Sequence, residues 1–148
     1  MKHINIMIFT VKPIDFNKKI DVVGCYLEFG DEILLLQRNP EKANGSKWGV
    51  PAGKMDKGET ILETAVREIF EETGIKLIGS NLKPVKSLFL RDGSFDLEWH
   101  AFSVKFSEKP NVKIENKEHK DFIWITPEKA IAELDLIHDL PELLKTYK

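Results

Sequence analysis

The chain has 148 residues, 42% hydrophobic and 31% charged, with 22 Lys plus Arg against 24 Asp plus Glu for a net charge of −2. This balance excludes a disordered or collagen-like chain, and the length predicts a single domain spanning residues 1–148. The near-neutral charge, with no Lys/Arg stripe, argues against a sequence-independent nucleic-acid binder, so no stable nucleic-acid partner is expected.

The lone cysteine, Cys25, forbids an intrachain disulfide and a Cys-based zinc site. It sits in an apolar run and reads as a buried thiol, which suits a reducing, cytoplasmic setting. The N-terminal stretch MKHINIMIFT lacks a basic n-region and a small-residue cleavage site. No run has the apolar length of a membrane span, and no membrane contact is expected.

Met1 to Lys19 either pairs as an edge strand or lies on the surface. Val22 to Phe29 and Ile33 to Gln37 are apolar runs around Gly30-Asp31, a hairpin pattern. Asn39 to Lys47 is polar and reads as a loop. Glycine and proline then punctuate Trp48 to Gly58. Thr60 with Glu63 has capping-box spacing, and Gly74 is a natural C-cap, so the spacing predicts a helix over Ile61 to Thr73. Lys83 to Leu90 and Phe95 to Phe106 are strand-like around Asp92-Gly93. Asp121 to Ile125 is a further short strand. Thr126-Pro127 starts a helix through Ala130 to Leu134, and a last helix covers Pro141 to Tyr147. This order predicts a mixed sheet with helices packed on it, an α/β or α+β arrangement.

The informative segment runs from Gly53 to Ile75. Glu68, Glu71 and Glu72 stand at i, i+3 and i+4, so they share one helix face and repel one another. A divalent cation removes that repulsion, and carboxylate oxygens are the ligands that Mg2+ and Mn2+ prefer. The opposite face, Leu62, Val66, Ile69 and Phe70, is expected to anchor the helix to the sheet. Arg67 lies four residues from both Glu63 and Glu71 and can hold a carboxylate in place. On the carboxylates alone, a solvated acidic face is the favoured reading.

The full spacing is more specific. Gly53, Glu59, Arg67-Glu68, Ile69, Glu71-Glu72, Gly74 and Ile75 fill every specified position of a Nudix box. The chain therefore resembles the MutT-like Nudix hydrolases, and the LLLQR run before the box and the strand-Trp-helix tail after it resemble the family too. The resemblance implies an α/β/α sandwich around a mixed sheet. It implies cleavage of the diphosphate linkage of a nucleoside diphosphate bound to some group X, with Mg2+ or Mn2+ as cofactor. Carried over by position, Glu68, Glu71 and Glu72 become metal ligands together with the Gly53 carbonyl, Glu59 supports them from behind or through water, and Arg67 orients a catalytic glutamate. The general base in the family is a box glutamate or one in a later loop. Here Glu71 and Glu72 are the box candidates and Glu118 the later one, although Glu118 also fits as an ordinary charge in the run Glu115 to Lys120. Ala52 stands where the family often has a first glycine, and no subfamily marker for dinucleoside polyphosphates, ADP-ribose or coenzyme A is evident.

For the substrate, Phe89, Trp99, His100 and Trp124 offer aromatic faces, with core packing the favoured role for Phe89 and Trp124. Trp99 and His100 must point to opposite faces of one strand. Arg38 either reaches a phosphate or is solvated, and Trp48 either walls the site or anchors its loop. His3, His119 and His138 read as surface residues. Three functions remain open. The first is a pyrophosphohydrolase acting on a canonical or oxidised nucleoside triphosphate. The second is the same chemistry on ADP-ribose or another nucleotide sugar. The third is a catalytically silent nucleotide sensor. In each case the partner is a small nucleotide, and the chain is a monomer or homodimer.

Overall fold

The computed structural model describes residues 6–137 and 139–147, so the N-terminal half of the MKHINIMIFT stretch, with His3, and also His138 lie outside the described residues. The first strands are β1 (Ile6–Phe9), β2 (Lys18–Phe29), β3 (Glu32–Arg38), β4 (Trp48–Gly49) and β5 (Ala52–Lys54). Helix α1 (Ile61–Thr73) and a 3-10 turn at Gly79–Asn81 follow. The chain then forms β6 (Lys83–Asp92), β7 (Phe95–Phe106), β8 (His119–Ile125), α2 (Pro127–Glu133) and α3 (Leu140–Thr146).

The strands build one mixed sheet in the order β1-β6-β7-β2-β3-β4, with β5 paired to β2 and β8 to β3. The pair β2–β7 is parallel, and the other pairs are antiparallel. A parallel pair needs a long crossover, and here the crossover carries α1. Strands β2 and β3 are apolar on both faces because both faces are covered. Val23, Cys25, Leu27, Leu34 and Leu36 pack under Ala65 and Ile69 of α1. Tyr26, Ile33 and Leu35 pack under Ala130 of α2 and Leu140, Leu143 and Leu144 of α3. Helices therefore lie on both sides of the sheet, as expected. Cys25 is buried, and burial pushes its thiol pKa up.

Two local expectations need correction, and one open alternative is resolved. The second hairpin turns on Gly93-Ser94, one residue later than Asp92-Gly93, because Asp92 still pairs with Phe95. Gly93 takes the first central position with φ 62°, a conformation open to glycine. The segment Met1 to Lys19 resolves, within the described residues, as an edge strand over Ile6–Phe9 on β6. The buried stripe of α1 is Ala65, Ile69 and Glu72, whereas Leu62 and Phe70 are exposed. The helix is rotated so that one glutamate, rather than Phe70, enters the interior.

The start of α1 is held by a reciprocal cap. Thr60 Oγ1 accepts from the Glu63 N–H at 3.1 Å, and Glu63 Oε1 accepts from the Thr60 N–H at 2.8 Å. Thr60→Ala is expected to cost about 1 kcal/mol, read as a fall of roughly 2–4 °C in Tm. An unchanged urea midpoint would show that the cap contributes nothing.

Candidate functional site

The site forms where β5 meets α1. Val23 of β2 lies opposite Gly53, which brings the backbone of β5 against the glutamate face of the helix. A Cβ on Gly53 would stand 2.2 Å from Glu68 Cδ, so a larger residue there would push the Glu68 carboxylate out of its present position. The Ala52 N–H donates to Glu72 Oε1 at 3.0 Å, tying the strand to the helix from the other side. Ala52 in place of a first glycine is therefore compatible with the approach.

Arg67 is the hub of the charged cluster. Its Nε donates to Glu59 Oε2 at 2.6 Å and its Nη2 to Glu59 Oε1 at 2.9 Å. Its Nη1 donates to Glu68 Oε1 at 2.8 Å and to Glu71 Oε1 at 2.9 Å. Glu63, the other expected partner, is occupied by the helix cap. Glu59 also accepts from the Asp56 N–H and from Thr64 Oγ1. The Arg67 guanidinium, followed by the Asp56 N–H, holds the Glu59 carboxyl down at about 2. Those same bonds, Glu59 first, hold Arg67 firmly protonated. Glu59 thus sits behind Arg67, which in turn fixes two of the helix carboxylates.

Glu68, Glu71, Glu72, Glu118 and His119 line one cleft of about 460 Å3. Glu72 is only 6% exposed. Burial, then the neighbouring Glu68 charge, pushes its pKa up. Burial also raises Glu68, against the pull of Arg67. Glu71 is the accessible member, with 56% of its side chain exposed. Glu118 is exposed at the far wall, on the segment that enters β8.

His119 departs from expectation. It is 5% exposed rather than a surface residue. Burial lowers its pKa, with the Arg38 charge adding to that effect, and its Nδ1 has no hydrogen-bond partner. The reason is a register shift. Gln37 pairs with Asp121, but Arg38 pairs with His119, so Lys120 is an extra residue on β8. Ordinary alternation would put His119 on the face of Ile123 and Ile125. The bulge turns it to the α1 side, a re-aiming that bulges commonly perform. The available sequence signal was its position directly after Glu118 at the start of a strand.

A divalent cation fits these residues. A buried carboxylate beside two others, a glycine backbone pressed against them and an orphaned imidazole nitrogen form an oxygen-rich donor set with unmet demand for positive charge.

The remaining candidates lie elsewhere. Arg38 Nε donates to Ala43 O at 2.7 Å, binding its own loop. Trp48 exchanges backbone hydrogen bonds with Asp135 and Ile137 and packs on the α2–α3 core, which makes it an anchor for that loop. Trp124 packs on the α1 core, and Phe89 meets Phe16 edge-on at 5.3 Å. Trp99 and His100 do point to opposite faces. Trp99 is buried in the α2–α3 core, where it walls an apolar cavity with Val22, Val50, Ala52 and Leu97. His100 lies on the α1 face, its Nε2 2.8 Å from Asp21 Oδ1 and its Nδ1 3.3 Å from Ser87 Oγ. That network includes Lys18 and Glu98, and it joins strands far apart in the chain, which no local pattern announces.

Among known families, the one described as NUDIX domain matches residues 18–147. An uncharacterized Nudix hydrolase of Bacillus subtilis (strain 168), YvcI, is 33% identical over 104 residues, covering 70% of this chain and 63% of that protein. The CTP pyrophosphohydrolase of Escherichia coli (strain K12) is 26% identical over 119 residues, covering 77% of this chain and 81% of that protein. The crystal structure of a MutT protein from Methanosarcina mazei Go1 superposes with a TM-score of 0.73 at 23% identity, over 91% of this chain and 96% of that one. The chain thus spans less than two thirds of the length of some relatives, YvcI among them, and most of others. Among the described residues no helix is long and apolar enough to cross a membrane. With the family match running over nearly the whole chain, and three box glutamates, Glu68, Glu71 and Glu72, lining one cleft, the chain belongs to the Nudix hydrolase family.

Proposed function

We propose that this protein is a divalent-cation-dependent hydrolase of nucleoside diphosphates linked to X, and that its substrate is a nucleoside triphosphate, canonical or oxidised. The observation that carries this reading is the position of β5. One side of this short strand meets the glutamates of α1 through the Ala52 N–H and Gly53. Ala52 also lines the apolar cavity of about 180 Å3 walled by Trp99. A polyanion-handling centre and an aromatic-walled apolar recess on one strand suit the two ends of a nucleotide. Similarity to the CTP pyrophosphohydrolase over most of the chain supports the triphosphate reading.

Glu68, Glu71, Glu72 and the Gly53 carbonyl hold Mg2+ or Mn2+ in this reading. When bound, the cation supplies positive charge against the diphosphate oxygens and acidity for an attacking water. Glu118, exposed in the same cleft, would accept the proton of that water. Arg67 keeps Glu68 and Glu71 oriented, and Glu59 keeps Arg67 in place. Trp99 offers its ring to the base. Arg38 and Trp48 shape the loop beside the site instead of touching phosphate. The buried, unpaired Cys25 suits a cytoplasmic protein.

The test is a hydrolysis screen with Mg2+ and with Mn2+ over canonical and oxidised nucleoside triphosphates, ADP-ribose, nucleotide sugars and dinucleoside polyphosphates. Release of a nucleoside monophosphate and pyrophosphate from a triphosphate is the expected result. Two monophosphates from ADP-ribose would move the assignment to a nucleotide-sugar pyrophosphatase. Nucleotide binding without cleavage by any member would make this a sensor domain.

A further inference from the structure

We propose that His119 supplies an imidazole nitrogen to the divalent cation, alongside Glu72 and next to the Glu118 base, making the centre a mixed nitrogen–oxygen site. The inference deepens the function proposed above and rests on its metal-binding part. It adds a ligand that the helix carboxylates and the Gly53 carbonyl do not include.

Three independent observations converge. His119 is 5% exposed, yet its Nδ1 has no hydrogen-bond partner. Buried polar nitrogens in native proteins are almost always partnered, so an orphan marks a missing ligand. Second, one donor atom each from Glu72, Glu118 and His119 lie within 4.8 Å of one another. Neighbouring ligands on one ion at about 2.1 Å stand about 3.0–3.4 Å apart, so closing this cluster takes about 1–2 Å of side-chain movement. Third, the single-residue bulge at Lys120 turns His119 toward α1 when regular pairing would have turned it away. A re-aimed side chain at the rim of a carboxylate cleft is a built feature.

The consequence is metal choice. Carboxylates alone serve Mg2+ and Mn2+ alike, whereas imidazole favours the later, softer divalent ions and is a poor ligand for Mg2+. This centre should therefore discriminate in favour of Mn2+, Co2+ or Zn2+ more strongly than an all-oxygen one.

The experiment titrates Mn2+ into the metal-free protein, without substrate, and records pulsed EPR. The expected spectrum contains modulation from a directly bound 14N nucleus, which shifts to the 15N pattern when histidine is 15N-labelled. In His119→Gln the nitrogen signal disappears, and Mn2+ affinity falls at least about tenfold, comparable to losing a supporting group at other metal sites. Mg2+ affinity falls less, so the Mn2+ to Mg2+ affinity ratio narrows. Melting curves establish that the variant is folded, and His119→Asn repeats the measurement if it is not. Mn2+ binding with water protons alone, or a nitrogen signal that survives in both variants, overturns the proposal and leaves the carboxylate centre standing. Failure of Mn2+ to bind the wild-type protein overturns the carboxylate centre as well.

Discussion

Glu71→Gln is expected to lower metal-dependent turnover by at least about a thousandfold while leaving Tm nearly unchanged. Glu71 is the most accessible of the three helix carboxylates, with 56% of its side chain exposed, so little packing depends on it. Glutamine keeps the carbonyl oxygen that accepts from Arg67 Nη1 at 2.9 Å. What it removes is a negative charge aimed at the cation. A thousandfold loss corresponds to about 4 kcal/mol of transition-state stabilisation, in the range that a bound metal contributes to phosphoryl transfer. The measurement is kcat under saturating Mg2+, with a melting curve on the same sample. Activity within about tenfold of wild type would remove Glu71 from the metal centre and leave Glu68, Glu72 and Glu118 as its carboxylates.

The same helix shows what a sequence can and cannot convey. Its ends at Ile61 and Thr73 were legible because caps are local: Thr60 and Glu63 are three residues apart, and Gly74 follows directly. The box was legible because its spacing is fixed along one chain segment. Its burial was not, because periodicity offers two overlapping stripes, and the sheet below decides between them. Ile69 is buried as expected, but Leu62 and Phe70 gave way to Ala65, and Glu72 was carried inward with that stripe. His119 failed for a related reason. Its orientation depends on a bulge against β3, a pairing between residues 81 positions apart, and no local pattern announces it. The parallel pairing of β2 with β7 is another non-local outcome, since hairpin signals speak only for neighbouring strands. Trp99 and His100 were correctly divided between faces because alternation within one strand is local.

The rotation that buries Glu72 leads to the second large effect. Between about pH 7 and pH 9 the metal-free protein is expected to lose stability as the pH rises, and a saturating divalent cation is expected to reverse the trend. Burial, with the charge of Glu68 behind it, pushes Glu72 from 4.5 up to about 9. Below the ordinary carboxylate range both folded and unfolded chains hold this proton, and the group contributes its full stability. Above that range the unfolded chain releases the proton while the folded chain keeps it. Stability then falls, by up to about 1.4 kcal/mol per pH unit, until the folded value is passed. The lowered His119 works in the opposite direction, but only up to its ordinary value of 6.5, so it is silent in this window. The raised Cys25 thiol enters only above 9.0, and the depressed Glu59 acts only in acid. Glu68, raised by burial against the pull of Arg67, acts in the same direction as Glu72. A cation that binds the ionised carboxylate gains affinity as the proton leaves and adds about 2.7 kcal/mol at a hundred times its Kd. Urea midpoints at intervals across the window, with EDTA and with excess Mg2+, test both signs. The slope in EDTA should shrink markedly in Glu72→Gln, which carries no proton to lose at that position. A flat wild-type profile in EDTA, or an equal slope in the variant, would show that Glu72 is ionised in the folded protein without metal.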